Sequence, residues 1–190
     1  VAAWGKVTVD AYESIEFASK TTLAIRALGG DDVISLNNQS IPNGPLASIT
    51  VDGGDPTAGD KLVYTGSAGI TVTQGSSPYD GSITNAPLPP VAFTNVEHVA
   101  VTATGAADIL TIEGTNADER ISIDVGNAFG QGAAQVDSGF NTTFTGAERV
   151  DVVAHDLRSD NLTITGRAAA DRFSLTTGGL GTLVRAGTNE

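Results

Sequence analysis

The chain has 190 residues and carries 10 Lys and Arg against 22 Asp and Glu, which gives a formal net charge of −12. Such an acidic surface repels phosphates and therefore excludes nucleic acid and anionic membranes as partners. The sequence has no Cys, which excludes disulfides, Cys-ligated metals and a cysteine nucleophile. Its apolar runs are far shorter than the roughly 20 residues of a transmembrane helix, so we expect no membrane insertion.

Alternation of apolar and polar residues with a period of two recurs along the chain and predicts short strands. It is clearest, in chain order, at residues 6–10, 23–26, 48–52, 110–113 and 162–165. This pattern is typical of half-buried strands rich in β-branched residues. Gly, Asn and Asp clusters between these segments favour tight turns. An amphipathic helix needs apolar residues at three- and four-residue spacing, which is not sustained here, so we predict an all-β fold.

An internal repeat is the most informative signal in the sequence. Residues 93–101 match residues 144–152, with Phe and Glu each displaced by 51 positions. Two apolar triplets accompany each copy, and the first Leu and the last aliphatic residue of the two triplets are 13 apart in all three copies: Leu23 and Leu36, Leu110 and Ile123, Leu162 and Leu175. An acidic residue precedes each second triplet: Asp32, Glu119 and Asp171. The chain is therefore expected to contain three copies of one module.

The spacing of these copies predicts the organisation of the chain. We place repeat module 1 at residues 1–52, an insert of extra strands with a Pro-rich loop at 53–92, module 2 at 93–140 and module 3 at 141–190. The third module stops near its fourth strand. We therefore expect a segment of a longer array, or a unit whose missing edge is supplied by a neighbour.

Short strands that recur about every eleven residues favour a right-handed parallel β-solenoid of about three modules. Repeated Leu-x-Ile and Ile-Ser-Leu triplets are expected when successive coils stack in register. The shortage of aromatic residues, 5% of the chain, agrees with a narrow interior lined by small aliphatic side chains. An antiparallel β-sandwich is the alternative, since it also gives strands every 8–12 residues.

Two Gly- and Asp-rich stretches, residues 27–34 and 51–62, resemble degenerate haemolysin-type (RTX) repeats, and the chain is similar to long Gly/Asp/Thr-rich proteins that bacteria secrete or display. In that family, Asp carboxylates and turn carbonyls hold calcium between stacked turns. The resemblance implies Asp31, Asp32 and Asp60 as calcium ligands. In residues 27–34, Ala27 and Leu28 replace the first two glycines of the motif, and no two full motifs run in tandem. Simple acidic turns that cap strand ends are the competing interpretation.

Other candidate chemistry is sparse. His98 and His155 are the only histidines, and we expect both on solvent-facing positions. Two acidic pairs, residues 31–32 and 118–119, hold equivalent module positions and could stack on one ridge, as the carboxylates of a β-solenoid polysaccharide lyase or hydrolase would. Duplication alone also places acidic residues at repeated positions. We therefore predict that the chain is not an enzyme.

The function predicted from the sequence is that of a non-enzymatic structural or adhesive segment. It would belong to a bacterial extracellular or cell-surface repeat protein, as a stalk, surface-layer element or filament subunit that assembles head to tail. The predicted partners are copies of itself or neighbouring repeats, with glycan contact left open. The alternatives are a calcium-binding RTX-like module, with calcium as its one cofactor, and a β-helix polysaccharide lyase or hydrolase.

Overall fold

The computed structural model describes residues 4–8, 14–37, 46–55, 59–155 and 160–167. These residues form sixteen strands and no helix. The strands are β1 (Trp4–Val7), β2 (Ile15–Ala18), β3 (Thr22–Arg26), β4 (Val33–Asn37), β5 (Ser48–Asp52), β6 (Lys61–Gly66), β7 (Gly69–Gln74), β8 (Gly81–Thr84), β9 (Val91–Thr94), β10 (His98–Ala103), β11 (Ile109–Glu113), β12 (Arg120–Val125), β13 (Gly132–Val136), β14 (Asn141–Thr145), β15 (Arg149–Val153) and β16 (Asn161–Thr165).

Fourteen of these strands form two sheets of seven. Sheet A has the order β16-β12-β13-β14-β10-β6-β4, and sheet B has the order β15-β11-β7-β8-β9-β5-β3. Strands β1 and β2 form a separate antiparallel pair with Trp4 opposite Ala18. From β3 onward the chain passes back and forth between the two sheets, so that neighbouring strands of one sheet come from distant parts of the sequence.

Most neighbouring strands in the two large sheets run parallel. The exceptions are β8, antiparallel to β7 and β9, and β13, antiparallel to β12 and β14. Each sheet thus contains one three-strand meander, β7-β8-β9 in sheet B and β12-β13-β14 in sheet A, within an otherwise parallel arrangement. The remaining connections cross from one sheet to the other, because parallel neighbours cannot be joined by a tight hairpin.

The prediction of an all-β fold is confirmed for the described residues. The alternative of an antiparallel sandwich is wrong for these sheets, because parallel pairs outnumber antiparallel ones. The sheets are mixed and, within the described ranges, open at β3 and β15 and at β4 and β16. These strands therefore establish an all-β fold with mixed sheets, and they do not establish a solenoid. No helix in the described part of the chain could span a membrane.

The buried side chains of both sheets belong to one hydrophobic cluster. Period-two alternation sends every second residue into it, as in β6, where Leu62 is 0% exposed and Tyr64 is 1% exposed. Burial raises the pKa of Tyr64 to about 12, because the low-dielectric core disfavours the phenolate. The Tyr64 hydroxyl lies 3.4 Å from Asn85 Oδ1, to which it donates.

The 51-residue repeat has a counterpart in the structure. The loop of residues 75–80 joins β7 to β8, and the loop of residues 126–131 joins β12 to β13. Gly75 N donates to Asp80 O at 2.7 Å, and Gly126 N donates to Gln131 O at 2.8 Å. The two loops therefore close in the same way at positions 51 apart. They lie on opposite sheets, since β7 belongs to sheet B and β12 to sheet A, so this 51-residue step exchanges the sheets.

This exchange overturns the expectation that like triplets stack on each other. The triplet of residues 110–112 lies on β11 in sheet B, whereas residues 162–164 lie on β16 in sheet A. Leu162 stands opposite Ile121, a member of the other kind of triplet. Asp171, Leu175 and the fourth strand of module 3 lie outside the described residues. The module boundaries at 52, 92 and 140 stay a prediction.

Candidate functional site

Acidic residues stand at the turns where the chain enters a strand. Asp32 precedes β4, Asp60 precedes β6 and Glu97 precedes β10. The residues that follow them, Val33, Lys61 and His98, face one another across parallel strands. The three acidic residues therefore lie one above another on adjacent layers of sheet A.

The carboxylates of Asp60 and Glu97 in this stack each receive a backbone N–H from the preceding layer. Asp32 N donates to Asp60 Oδ1 at 2.8 Å, and Asp60 N donates to Glu97 Oε2 at 2.9 Å. Sheet B repeats the arrangement, since Ala68 N donates to Asp108 Oδ1 and Asp108 N to Glu148 Oε2, both at 2.5 Å. We call these two series the carboxylate ladders. They satisfy amides that leave the regular sheet pairing at the turns, where an unpaired buried N–H is costly.

The two ladders differ in how completely their oxygens are used. Asp108 is 1% exposed, and its second oxygen accepts the N–H of Gly105 at 2.5 Å. In the sheet A ladder, one oxygen each of Asp32, Asp60 and Glu97 is buried without a hydrogen-bond partner. Asp60 itself is 0% exposed. Three stacked acceptors without donors favour positive charge at this ladder.

The structure brings the predicted calcium ligands onto adjacent layers. Asp32 and Asp60 are joined by the ladder bond, and Asp31 Oδ1 accepts the N–H of Gly59 at 2.9 Å. The observed partners of the Asp31 and Asp60 carboxylates are thus backbone amides, as expected for acidic turns that cap strands. Among the described residues, no three His, Asp or Glu side chains are grouped as ligands of one metal ion. The calcium role stays a prediction.

The two acidic pairs considered for catalysis lie far apart. Residues 31–32 precede β4 at the edge of sheet A, and residues 118–119 precede β12 on the same sheet. Four strands separate β4 from β12, which corresponds to roughly 24 Å at about 4.8 Å per strand. The paired carboxylates of a glycosidase lie within about 10 Å of each other. These pairs therefore cannot act together on one bond.

A groove of about 630 Å³ opens where three connections meet. It lies between the β7-β8 loop, the β11-β12 turn and the β13-β14 turn, and His155 borders it. Its exposed polar side chains are short: Ser76, Ser77, Asn116, Asp137, Ser138 and His155, and Pro78 and Ala117 are exposed beside them. No Lys or Arg lines it. The groove thus carries an exposed carboxylate and no Lys or Arg to neutralise it.

Side chains of three consecutive layers join beside this groove. Thr73 Oγ1 donates to Glu113 Oε2 at 2.6 Å, and His155 Nε2 lies 2.7 Å from Glu113 Oε1. Thr73 is on β7, Glu113 on β11 and His155 follows β15. The Glu113 carboxylate therefore orients the imidazole across the strand layers, and the contact becomes an ion pair when His155 is protonated.

The sequence alone did not reveal this groove. Glu113 and His155 are 42 positions apart, and only the pairing of β11 with β15 brings them together. The length of the connection gave no signal, because six residues separate β11 from β12 and six also separate β3 from β4.

No protein family model matches this chain, and the comparisons with curated proteins and with solved structures also give no match.

Proposed function

We propose that the chain is a non-enzymatic structural or adhesive segment of a bacterial extracellular or cell-surface repeat protein, built as a β-solenoid. It would act as a stalk, surface-layer element or filament subunit. The observation that supports this proposal is the way in which successive strand layers are joined. Each layer is bonded to the next by the same kind of hydrogen bond, which always runs in the same direction. In both ladders the carboxylate of each layer accepts the N–H of the layer before it.

The outer strands favour continuation at both ends. β3 runs parallel to β5 and β15 runs parallel to β11, while β4 and β16 are likewise parallel to their neighbours. A further layer would therefore meet the same strand direction at either end. Stability in such arrays is approximately the sum of the stabilities of repeats and of their interfaces. This construction suits a spacer whose length is its main property.

Apolar exposure is concentrated near one end. Ile15 on β2, Leu28 in the β3-β4 turn and Val33 on β4 are 61%, 75% and 68% exposed. β3 and β4 are the outermost described strands of their sheets. Exposed apolar groups beside an outer strand favour association with another chain. Because the two ends of the array differ, that association would be head to tail.

Electron microscopy of the purified chain over a range of concentrations tests this association. The most informative variant is Ser35→Pro, with Ser35→Ala as its control. Lys61 N donates to Asp32 O, so the backbone groups of Asp32 point towards β6. Because this direction alternates from residue to residue along a parallel strand, the N–H of Ser35 points away from β6. Proline removes only this outward N–H and is tolerated on edge strands. Rods or filaments should form with the wild type and Ser35→Ala and be lost with Ser35→Pro. Strictly monomeric wild-type particles at high concentration would contradict the assembly.

The calcium-binding module is the second candidate, favoured by the unpartnered oxygens of Asp32, Asp60 and Glu97. A cation held by the folded chain alone must raise its melting temperature. Thermal melts with calcium and with chelator therefore separate the two candidates. A rise that Asp60→Asn abolishes and Asp52→Asn retains would support calcium binding. An unchanged midpoint would remove this candidate and leave the structural role in place.

A further inference from the structure

The polar groove at the β11-β12 turn has the chemistry of a site for an uncharged ligand. One oxygen of each of its two carboxylates has a partner within the protein. Glu119 is 2% exposed, and its Oε1 accepts hydrogen bonds from the N–H and the hydroxyl of Thr115, whereas its Oε2 is buried without a partner. Asp137 is exposed and accepts the N–H of Arg120 at 2.8 Å. The groups that face solvent are hydroxyls, an amide, an imidazole and the Asp137 carboxylate, all of which can donate or accept hydrogen bonds.

The overall charge and the lining exclude other classes of ligand. A net charge of −12 and a lining without Lys or Arg repel phosphorylated and sulfated compounds. Protein partners usually bind through buried aromatic or Arg residues, and neither type lines the groove. The volume of about 630 Å³ lies within the range of small-molecule sites. A neutral molecule that carries many hydroxyl groups matches this surface.

The two described turns that precede the meanders differ in length. Before the first meander, residues 67–68 make the β6-β7 turn, and Asn85 Nδ2 holds it by donating to Ser67 O at 2.7 Å and Gly69 O at 2.8 Å. Before the second meander, residues 114–119 make the β11-β12 turn. Val136 stands 51 positions after Asn85 and lines the groove. The longer β11-β12 turn forms one wall of the groove.

We propose that this groove binds a neutral glycan, with Asn116 and Ser138 donating hydrogen bonds to sugar hydroxyls and His155 held in place by Glu113. This adds a binding role to the structural role and does not depend on it, because the three turns that form the groove lie within a single chain. The glycan would be a neutral oligosaccharide chain rather than an acidic one.

The two histidines of the chain provide an internal comparison for the test. His155 borders the groove, whereas His98 is exposed at the start of β10 and does not line it. We would titrate the full chain with maltohexaose, cellohexaose, mannohexaose and N-acetylchitohexaose at millimolar concentration and follow both imidazoles by NMR. At least one sugar should shift the His155 signals saturably and leave those of His98 unchanged. Asn116→Ala should weaken that binding by about tenfold, as the loss of a hydrogen bond does.

The controls separate ligand binding from changes in the fold. Asn127→Ala alters an exposed Asn of the β12-β13 loop, outside the groove, and should keep the wild-type affinity. Circular dichroism should be the same for the wild type and both variants. No shift of His155 with any of the four sugars would overturn the proposal. Equal shifts of both histidines, unchanged affinity in Asn116→Ala, or tighter binding of oligogalacturonate would overturn it as well. None of these outcomes bears on head-to-tail assembly, which Ser35→Pro tests.

Discussion

The two meanders are built alike on opposite sheets and differ where they meet their surroundings. Both have a glycine pressed against a phenylalanine ring, Gly81 against Phe93 and Gly132 against Phe144. Only Phe93 has a described ring partner, Phe140, whose centroid lies 5.0 Å away at an interplanar angle of 77°. The first meander has the polar Asn85 directly after β8, and the second has Val136 at the equivalent place in β13. The comparison shows that the spacing of the strands and the small residues in them are common to both meanders. The residues that surround each meander differ, and they determine which contacts its turns make.

The largest effect should come from removing the rings. Phe93 is 2% exposed and Phe144 is 5% exposed, so Phe93→Ala and Phe144→Ala should each lower the free energy of unfolding by about 3–5 kcal/mol. Phe93→Ala should cost about 1 kcal/mol more, because it also removes the edge-to-face contact with Phe140. Denaturant unfolding of the two variants measures the difference. Equal losses would mean that the ring pair does not distinguish the meanders.

Exchanging the residues at the equivalent position should have the next largest effect. Asn85→Val imitates the second copy and leaves the carbonyls of Ser67 and Gly69 without their donor, which should cost about 3 kcal/mol. Val136→Asn should also destabilise, because Val136 is 5% exposed and a buried amide needs partners. Thr84→Val, at an exposed position of β8, is the control. Denaturant unfolding measures these losses. If Asn85→Val lowered the free energy of unfolding no more than Thr84→Val, the role of Asn85 in holding the β6-β7 turn would be contradicted.

Adding a methyl group at the meander glycines should cost about 2 kcal/mol in each copy. A Cβ at Gly81 would lie 2.6 Å from the Phe93 ring and 2.6 Å from Thr73 O, and one at Gly132 would lie 2.6 Å from Asp124 O. A Cβ at Gly69 would meet nothing within 4 Å, so Gly69→Ala is the matched control and should be nearly neutral. Thermal melts of the three variants test this contrast. A melting temperature of Gly132→Ala equal to that of Gly69→Ala would break the parallel between the copies.

The smallest effect at neutral pH is expected at Tyr64, whose hydroxyl bonds to Asn85 in the first copy only. Tyr64→Phe should cost about 1 kcal/mol at pH 7. The pKa of Tyr64 is raised from 10.0 to about 12 by burial, so the unfolded chain releases this proton first. The tyrosine's contribution is therefore complete below about pH 10 and is lost as pH rises toward 12, by at most about 3 kcal/mol. Unfolding of the wild type and Tyr64→Phe at pH 9 and pH 11 gives the difference. A stability difference that does not change with pH would contradict the raised pKa.

Prediction from the sequence was most accurate where the signal was local. Alternation located β3, β5, β11 and β16 because each buries one face, whatever its neighbours are. Acidic turns that cap strand ends were the competing interpretation of the Asp-rich turns, and in the structure the carboxylates of Asp60 and Asp160 accept the N–H groups of Asp32 and Glu119. The partner of each strand was harder to predict, because any aliphatic pair fits a sheet equally well.

The candidate site shows the same limit. Asp31, Asp32 and Asp60 were singled out from their spacing and do lie on adjacent layers, but the observed partners of the Asp31 and Asp60 carboxylates are backbone amides. The groove depends on residues from three turns that share no motif. The lengths of the connections gave no signal either, because β3-β4 and β11-β12 both have six residues.

The sequence by itself determined that this protein is all-β, acidic and repeated, because alternation, composition and a 51-residue offset are properties of single segments and of their order. The tertiary structure alone decided that modules 2 and 3 place like triplets on opposite sheets and that Leu162 faces Ile121 rather than Leu110. It also placed His155 beside Glu113 at the border of a groove. The physical reason is register: backbone hydrogen bonds between parallel strands set which distant residues meet, and those bonds are the same for every side chain.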